Sequence, residues 1–292
     1  MFPRPRPAPT MRAFPSRSRI RKTPLPVASE LWIALLGAVV GLVMGLTGAG
    51  GGALSVPLLM FGAGLSLPEA VPVSLSAVAA SASLGGLLGL REGLVRYRAA
   101  LMIGVAGMSL APVGVALGQR LPQAPLLVLF AGFMVLTAWR NLRPRRAVPR
   151  DERAVCHRET GAARLTWTWA CAAVLARTGA LAGLLSGLLG VGGGFVIVPI
   201  LERRSNLDRL SIQATSVAVI ALVSTSGLAS AAWGGHLELQ RSLPFGLGAM
   251  AGLLAGRRHA SRLPETRLRQ VFGATCAAVA LLVLARALET PA

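Results

Sequence analysis

The sequence predicts an all-α polytopic membrane protein made of two homologous four-span repeats, with about eight transmembrane helices and a broken, glycine-rich first helix in each repeat. Three observations support this fold class. The chain of 292 residues is 53% hydrophobic and only 14% charged, whereas about a quarter of the residues in a soluble domain are charged. Its apolar runs approach the about 20 residues that a helix needs to cross a bilayer. Its second half also repeats the pattern of its first half, as many transporter folds do.

Each predicted repeat contains four apolar segments. The first repeat covers residues 31–142 and the second covers 167–288. The segments are 31–61, 69–90, 99–117 and 122–139 in the first repeat, and 167–201, 210–232, 242–257 and 270–288 in the second. The first segment of each repeat is too long for one crossing, because about 31 helical residues extend about 46 Å and the hydrocarbon core is about 30 Å thick. We therefore expect that helix to be steeply tilted or broken.

Two glycine clusters mark the expected breaks. Gly45–Pro57 reads GLTGAGGGALSVP, and Gly187–Pro199 reads GLLGVGGGFVIVP. We call the constant shift in numbering that takes Gly45 to Gly187 the repeat offset; it also takes Ser74 to Ser216. A glycine inside a helix costs about 1 kcal/mol relative to alanine, so a cluster is expected only where backbone without side chains is needed.

Three interpretations of these clusters compete. The pattern Gly48-x-Gly50-x-x-Ala53 fits a dinucleotide-binding motif, but that motif requires a βαβ unit rather than a membrane-length apolar segment. Close helix packing explains spacings such as Gly41-x-x-x-Gly45, although three consecutive glycines also loosen a helix. We favour a discontinuous helix that lines a cavity, because unwound backbone inside a membrane is tolerated only where it faces protein or water.

A broken helix offers a site for an anion. The half-helix after the break begins with N–H groups that lack helical acceptors, and its positive dipole end favours negative charge. Ionisable residues are nearly absent from the apolar segments, so we expect backbone N–H groups and serine hydroxyls to bind the substrate. The predicted binding residues are Gly48, Gly50, Gly51, Gly52, Ser74, Gly190, Gly192, Gly193, Gly194 and Ser216. Pro57 and Pro199 are expected to kink or shorten the half-helices.

Other hydroxyls lie in the same apolar segments. They are Ser76, Ser81, Ser83, Thr215, Ser224, Thr225 and Ser226. For most of them we expect a hydrogen bond to the carbonyl one turn earlier in the same helix, which is the common state of a serine in a membrane helix.

The net charge of +19 comes from arginines between the apolar runs, which favours a membrane topology signal over a nucleic-acid partner. The sequence predicts a basic tail over residues 1–30 and an Arg-rich linker over 143–166, both cytoplasmic and both attracted to anionic lipid headgroups. The N-terminus of this multi-pass protein would then lie inside the bacterial inner membrane. The second repeat conflicts with this scheme, because four spans would put Arg203 and Arg257 outside. An inverted second repeat would suit them, but it needs an odd number of spans before it.

Over residues 31–288 the chain resembles the sulfite exporter TauE/SafE family. The resemblance lies in the element G-x-G-G-G-x-x-x-x-P in both halves, in the four-span repeat and in the size. It implies a multi-pass inner-membrane protein that moves sulfite, sulfonates or related organic anions. The motif residues are Gly48, Gly50, Gly51, Gly52 and Pro57, and Gly190, Gly192, Gly193, Gly194 and Pro199.

The sequence therefore predicts a secondary transporter of a small anion, such as sulfite or another sulfur-containing or organic anion, that needs no cofactor and no metal. The alternative is a non-transporting membrane assembly or scaffold protein whose glycines serve only helix packing. An enzyme is disfavoured, because the apolar segments contain no nucleophile–base pair, metal-ligand cluster or carboxylate pair. Homo-oligomerisation is left open.

Overall fold

The computed structural model describes residues 27–48, 51–143, 168–205, 207–260 and 265–289. All ten secondary-structure elements in these ranges are α-helices. They are α1 (Val27–Thr47), α2 (Gly51–Gly62), α3 (Leu67–Arg91), α4 (Tyr97–Arg120), α5 (Gln123–Leu142), α6 (Trp169–Leu189), α7 (Gly194–Arg204), α8 (Arg209–Trp233), α9 (Leu239–Ala260) and α10 (Glu265–Glu289). Most of the predicted tail, most of the linker, and Gly50 lie outside the described residues.

Seven of these helices are long and apolar enough to cross a membrane, namely α1, α3, α4, α5, α6, α8 and α10. The remaining predicted span, residues 242–257, corresponds to α9, which is not among the seven. Between Arg241 and Arg257 this helix has only a short uncharged stretch, and several of its residues are glycines. It nevertheless packs along α1.

Both predicted breaks are present. The first helix of the N-terminal half ends at Thr47 and resumes as α2 at Gly51, and α6 ends at Leu189 and resumes as α7 at Gly194. The connecting glycines adopt left-handed backbone angles, with φ of 80° at Gly48, 69° at Gly190, 76° at Gly192 and 73° at Gly193. Side chains disfavour these angles, so glycine is required there. Pro57 and Pro199 lie inside α2 and α7 and end neither helix.

The short helix α2 folds back along α1. Gly51 lies against the backbone of Val40 and Met44, and Gly62 at the other end of α2 lies against Leu36. The indole Nε1 of Trp32 donates a hydrogen bond to the carbonyl of Gly62 at 2.9 Å. The two helices therefore form a hairpin whose open end lies beside the start of α1. We call this end of the bundle the Trp32 end.

The opposite end of the bundle holds an ion pair. Gly45 near the end of α1 lies against Leu253 and Arg257 of α9, and the guanidinium of Arg257 donates to both carboxylate oxygens of Glu92 at 2.7 and 2.8 Å. We call this the Arg257 end. Helix α3 ends here, since Glu92 directly follows it.

Helix α4 runs from the Arg257 end to the Trp32 end, and α5 runs back in the opposite direction. Gln119 near the end of α4 donates to the carbonyl of Pro68 at 3.4 Å, which places the end of α4 at the Trp32 end. Helix α10 begins shortly after α9 ends near Arg257, and Arg269 near the start of α10 donates to the carbonyl of Arg140 at 3.3 Å. The end of α5 therefore lies at the Arg257 end. The predicted tail and the predicted linker therefore attach at opposite ends of the bundle. The four-span scheme placed them on the same side, because it did not count the reversal that the hairpin adds.

Two helix pairs pack through matching rows of glycines. On α1, Gly37, Gly41 and Gly45 touch the backbone of Phe245, Ala249 and Leu253 on α9; on α6, Gly179, Gly183 and Gly187 touch the backbone of Ile103, Gly107 and Ala111 on α4. The two sets of contacts are related by the repeat offset, with the helix roles of the two halves exchanged. At these positions the glycines serve close packing.

Candidate functional site

The two helix breaks meet inside the bundle. A Cβ atom built on Gly52, at the start of α2, would lie 2.5 Å from the carbonyl oxygen of Val191, which belongs to the other break. Gly190 in turn lies against Val56 of α2 and Val71 of α3. Gly51 and Gly52 are both buried. The start of α2 and the residues that precede α7 therefore share one buried region.

The start of α7 presents backbone N–H groups to this region. Gly193 is its N-cap, and its carbonyl accepts hydrogen bonds from the amides of Val196 and Ile197 at 3.0 and 3.3 Å. The amides of Gly194 and Phe195 come before any helical acceptor. The positive end of the helix dipole lies at the same place, and the described charged side chains nearest in sequence, Glu202 and Arg203, lie at the far end of this helix.

Ser74 links the two breaks. Its hydroxyl donates to the carbonyl of Gly190 at 2.6 Å and is also hydrogen bonded to the hydroxyl of Ser55. The hydroxyl of Ser55 lies 2.6 Å from the carbonyl of Gly52. All of these groups are buried, so the chain of hydrogen bonds ties α2 and α3 to the break before α7. The sequence analysis singled out Ser74 but missed Ser55, whose counterpart at the repeat offset is an isoleucine, Ile197.

Ser216 is in a different state, although it matches Ser74 in sequence. Its hydroxyl is fully buried and has no hydrogen-bond partner. It follows Gln213 by one turn of α8, and Gln213 lies against Gly48 and donates to the carbonyl of Thr47 at 3.3 Å. Ser216 is therefore on the side of α8 that faces the first break. A buried hydroxyl without a partner costs free energy and calls for an explanation.

Two further buried hydroxyls near the second break have no hydrogen-bond partner. They belong to Ser224 of α8 and Ser186 of α6. Ser224 Oγ lies 3.6 Å from the position that a Cβ atom would take on Gly192. The sequence analysis named Ser224 as one of several available donors and did not consider Ser186. Only the tertiary contacts distinguish these two from serines such as Ser81, which donates to the carbonyl of Ala77 at 2.6 Å.

Three of the predicted glycines are packed closely against neighbouring residues. A Cβ atom on Gly193 would lie 2.8 Å from the carbonyl oxygen of Ala182, and one on Gly51 would collide with α1. A Cβ atom on Gly192 would lie 2.7 Å from a methyl group of Val78. These glycines are therefore needed for packing. Gly50 lies outside the described residues.

A small, mostly apolar pocket at the Trp32 end lies beside the second break. It lies between α3, α4, α5 and α6, and Val71, which contacts Gly190, is part of its wall. The lining residues are Leu67, Pro68, Val71, Val115, Gly118, Gln119, Leu126, Gly187 and Leu188. Over the part of the chain that the structure describes, no three His, Cys, Asp or Glu side chains are placed to hold a metal ion.

Comparison with known proteins gives a family match over most of the chain. The family model described as "Sulfite exporter TauE/SafE" matches residues 33–283. A "Probable membrane transporter protein" from Xylella fastidiosa strain Temecula1 is 30% identical over 258 residues, which cover 86% of this chain and 93% of that protein. "Probable membrane transporter protein YdhB" from Bacillus subtilis strain 168 is 27% identical over 259 residues, which cover 86% of this chain and 99% of that protein. No solved structure matches the chain.

Proposed function

The chain belongs to the sulfite exporter TauE/SafE family of membrane transporters, and we propose that it is a secondary transporter that moves a small anion, sulfite or another sulfur-containing or organic anion, across the bacterial inner membrane. The observation that carries this proposal is the contact between the two breaks, where Gly52 meets the carbonyl of Val191. Transporters commonly bind their substrates where discontinuous helices meet, with helix N-termini directed at an anionic group.

We assign the binding site to the residues around this contact. Backbone N–H groups at the start of α2 and α7 would bind the anion, and Ser216 would supply a hydroxyl. The proposed site comprises Gly48, Gly50, Gly51, Gly52, Gly190, Gly192, Gly193, Gly194 and Ser216. Ser74 is a positioning residue, because its hydroxyl donates its proton to the carbonyl of Gly190. No fixed cation is needed, since the helix dipoles and the donors favour negative charge.

The two halves of the chain would be homologous repeats of inverted topology. Each would contain five helices, α1–α5 and α6–α10, of which the second is a short return helix. Two features support this: the matching glycine contacts at the repeat offset, and the directions of the helices, since α6 runs parallel to α4 and α8 runs antiparallel to α3. Rocking of such halves about a central site would give alternating access.

The positive-inside bias would place the Arg257 end in the cytoplasm. The described arginines near this end are Arg91, Arg96, Arg98, Arg140, Arg143, Arg203, Arg204, Arg209, Arg257, Arg258, Arg267 and Arg269. Among the described side chains, the Trp32 end has Arg120 and Arg241. The start of α1 would then lie on the external side. This replaces the expectation of a cytoplasmic N-terminus and keeps the linker cytoplasmic.

Anion flux into proteoliposomes tests the proposed function. Purified protein would be reconstituted, and uptake of labelled sulfite, thiosulfate, sulfoacetate and taurine would be compared with uptake by protein-free vesicles. We expect saturable uptake of at least one of them, competed by its unlabelled form. Reconstituted, folded protein that moves none of them would favour the scaffold alternative. Helix-packing glycines support that alternative at the α1–α9 and α4–α6 contacts, but they do not account for the left-handed glycines at the breaks.

A further inference from the structure

The second break carries hydroxyl groups whose protons no described residue accepts. Ser186 and Ser224 are fully buried, and neither hydroxyl has a hydrogen-bond partner. Ser224 Oγ lies 3.6 Å from the position that a Cβ atom would take on Gly192. Ser186 follows Ala182 by one turn of α6, and Ala182 lies against Gly193, so both residues are on the side of α6 that faces the break. Both hydroxyls thus border the residues that immediately precede α7.

The corresponding positions of the first half lack these donors. By the repeat offset, Ser186 corresponds to Met44 and Ser224 corresponds to Ala82, and neither side chain can donate a hydrogen bond. The sulfur of Met44 instead accepts from the hydroxyl of Ser81 at 3.4 Å. The two breaks therefore share glycines but differ in the hydroxyls around them.

The chemistry of the second break suits an oxyanion. Two hydroxyl donors and the amides at the start of α7 approach from different helices, so their partner must accept hydrogen bonds in several directions at once. A sulfite, sulfonate or carboxylate group has two or three oxygen atoms that can do this. Hydroxyl and amide donors also bond a charged oxygen atom more strongly than a neutral one.

We propose that Ser186 and Ser224 are specificity-determining residues that donate hydrogen bonds to the oxygen atoms of a transported oxyanion at the break before α7. This inference rests on the proposed function and deepens it. It names the oxygen-bearing headgroup as the recognised chemistry, and it assigns to the second break two hydroxyl donors that the corresponding positions of the first half lack.

The test uses Ser186→Ala and Ser224→Ala in the full-length protein, with Ser242→Ala as the matched control. Ser242 is also buried and has no partner for its hydroxyl, but it lies on α9, where its carbonyl accepts a hydrogen bond from Ser76 of α3 at 3.4 Å. Sulfite uptake into proteoliposomes and sulfite-induced thermal stabilisation in detergent would be measured, with chloride at equal concentration as a probe that lacks oxygen atoms. Removal of a hydrogen bond to a charged group should raise the KM for sulfite by about tenfold in each break variant.

Stability measured without sulfite separates recognition from folding. Because both hydroxyls are unpartnered, their removal should leave the unfolding temperature unchanged or raise it slightly. A raised KM with unchanged stability, and no change in Ser242→Ala, supports the inference. Wild-type uptake of sulfite with an unchanged KM in both break variants overturns it and leaves the proposed function intact. Equal stabilisation by chloride and sulfite also overturns it, and a wild-type protein that neither binds nor moves any of the tested anions overturns both proposals.

Discussion

Ser74 of α3 donates a hydrogen bond of 2.6 Å to the carbonyl of Gly190, a residue 116 positions later in the chain. This bond joins the first half of the protein to the break in the second half, and the hydroxyl of Ser55 extends it to the start of α2. The contact holds the two breaks side by side. Its loss should therefore weaken the junction between the two halves.

Ser74→Ala should destabilise the protein by about 1–3 kcal/mol, because it leaves the buried carbonyl of Gly190 without a donor. Thermal unfolding in detergent would measure the effect. Ser109→Ala is the control, since that exposed hydroxyl only bonds the carbonyl of Val105 one turn earlier. Equal unfolding temperatures for the two variants would show that the bond contributes nothing to the fold.

Gly183→Ala should destabilise the α4–α6 contact. A Cβ atom at this position would lie 2.7 Å from the carbon atoms of the Gly107 backbone, so the helices would have to separate. Gly132→Ala is the matched control, because a Cβ atom there meets nothing within 4 Å; alanine should stabilise that helix by up to about 1 kcal/mol. Unfolding midpoints should therefore move in opposite directions, and a shift of the same sign in both would argue against close packing at Gly183.

Gly192→Ala should reduce both stability and anion uptake, since it combines backbone strain with a collision at Val78. Gly235 has almost the same backbone angle, φ 72° against 76°, but open space around it. Gly235→Ala therefore reports the strain alone, about 1–2 kcal/mol, and should retain uptake. If both variants lose uptake equally at matched stability, the break has no special role in transport.

The proposed orientation predicts which loops an impermeant thiol reagent reaches in intact cells. Gly64, Gly93 and Gly235 all have left-handed angles and open surroundings, so cysteine should be about equally tolerated at each. Gly64→Cys and Gly235→Cys, at the Trp32 end, should be labelled from outside. Gly93→Cys, at the Arg257 end, should be labelled only after permeabilisation, and the parent protein corrects for native cysteines. The reverse pattern would invert the assignment.

Asp208 should make the start of α8 sensitive to acid. Partial burial raises the pKa of its carboxyl group, but hydrogen bonds from Ser211 and backbone amides and the charge of Arg96 outweigh this and lower the pKa overall. The folded-state pKa then lies below the unfolded value of about 3.9. Its contribution to stability is therefore present above that pH and is lost as the pH falls through the folded-state pKa. The unfolding temperature of Asp208→Asn should approach that of the wild type on acidification, and a constant difference would refute the role of the charge.

Much of the fold follows from local patterns. The apolar runs predicted eight spans, and seven of them correspond to helices that are long and apolar enough to cross a bilayer. Helix α9 falls outside that set, because charges at both ends shorten its apolar part and several of its residues are glycines. The breaks at Gly48 and Gly190–Gly193 were predictable because three neighbouring glycines destabilise a helix wherever they occur. The hairpin was not predictable in the same way. A break does not state whether the chain continues forward or turns back, so the predicted count of reversals was wrong.

The sequence by itself determined the membrane class, the helical segments, the positions of both breaks and the family, since each depends on residue types at short spacing or on motifs. The tertiary structure decided which groups meet. Ser74 and Ser216 match in sequence, yet one hydroxyl is bonded to Gly190 and the other has no partner. A hydroxyl's partner lies on another helix, and helix packing alone sets which backbone atoms come within reach of it.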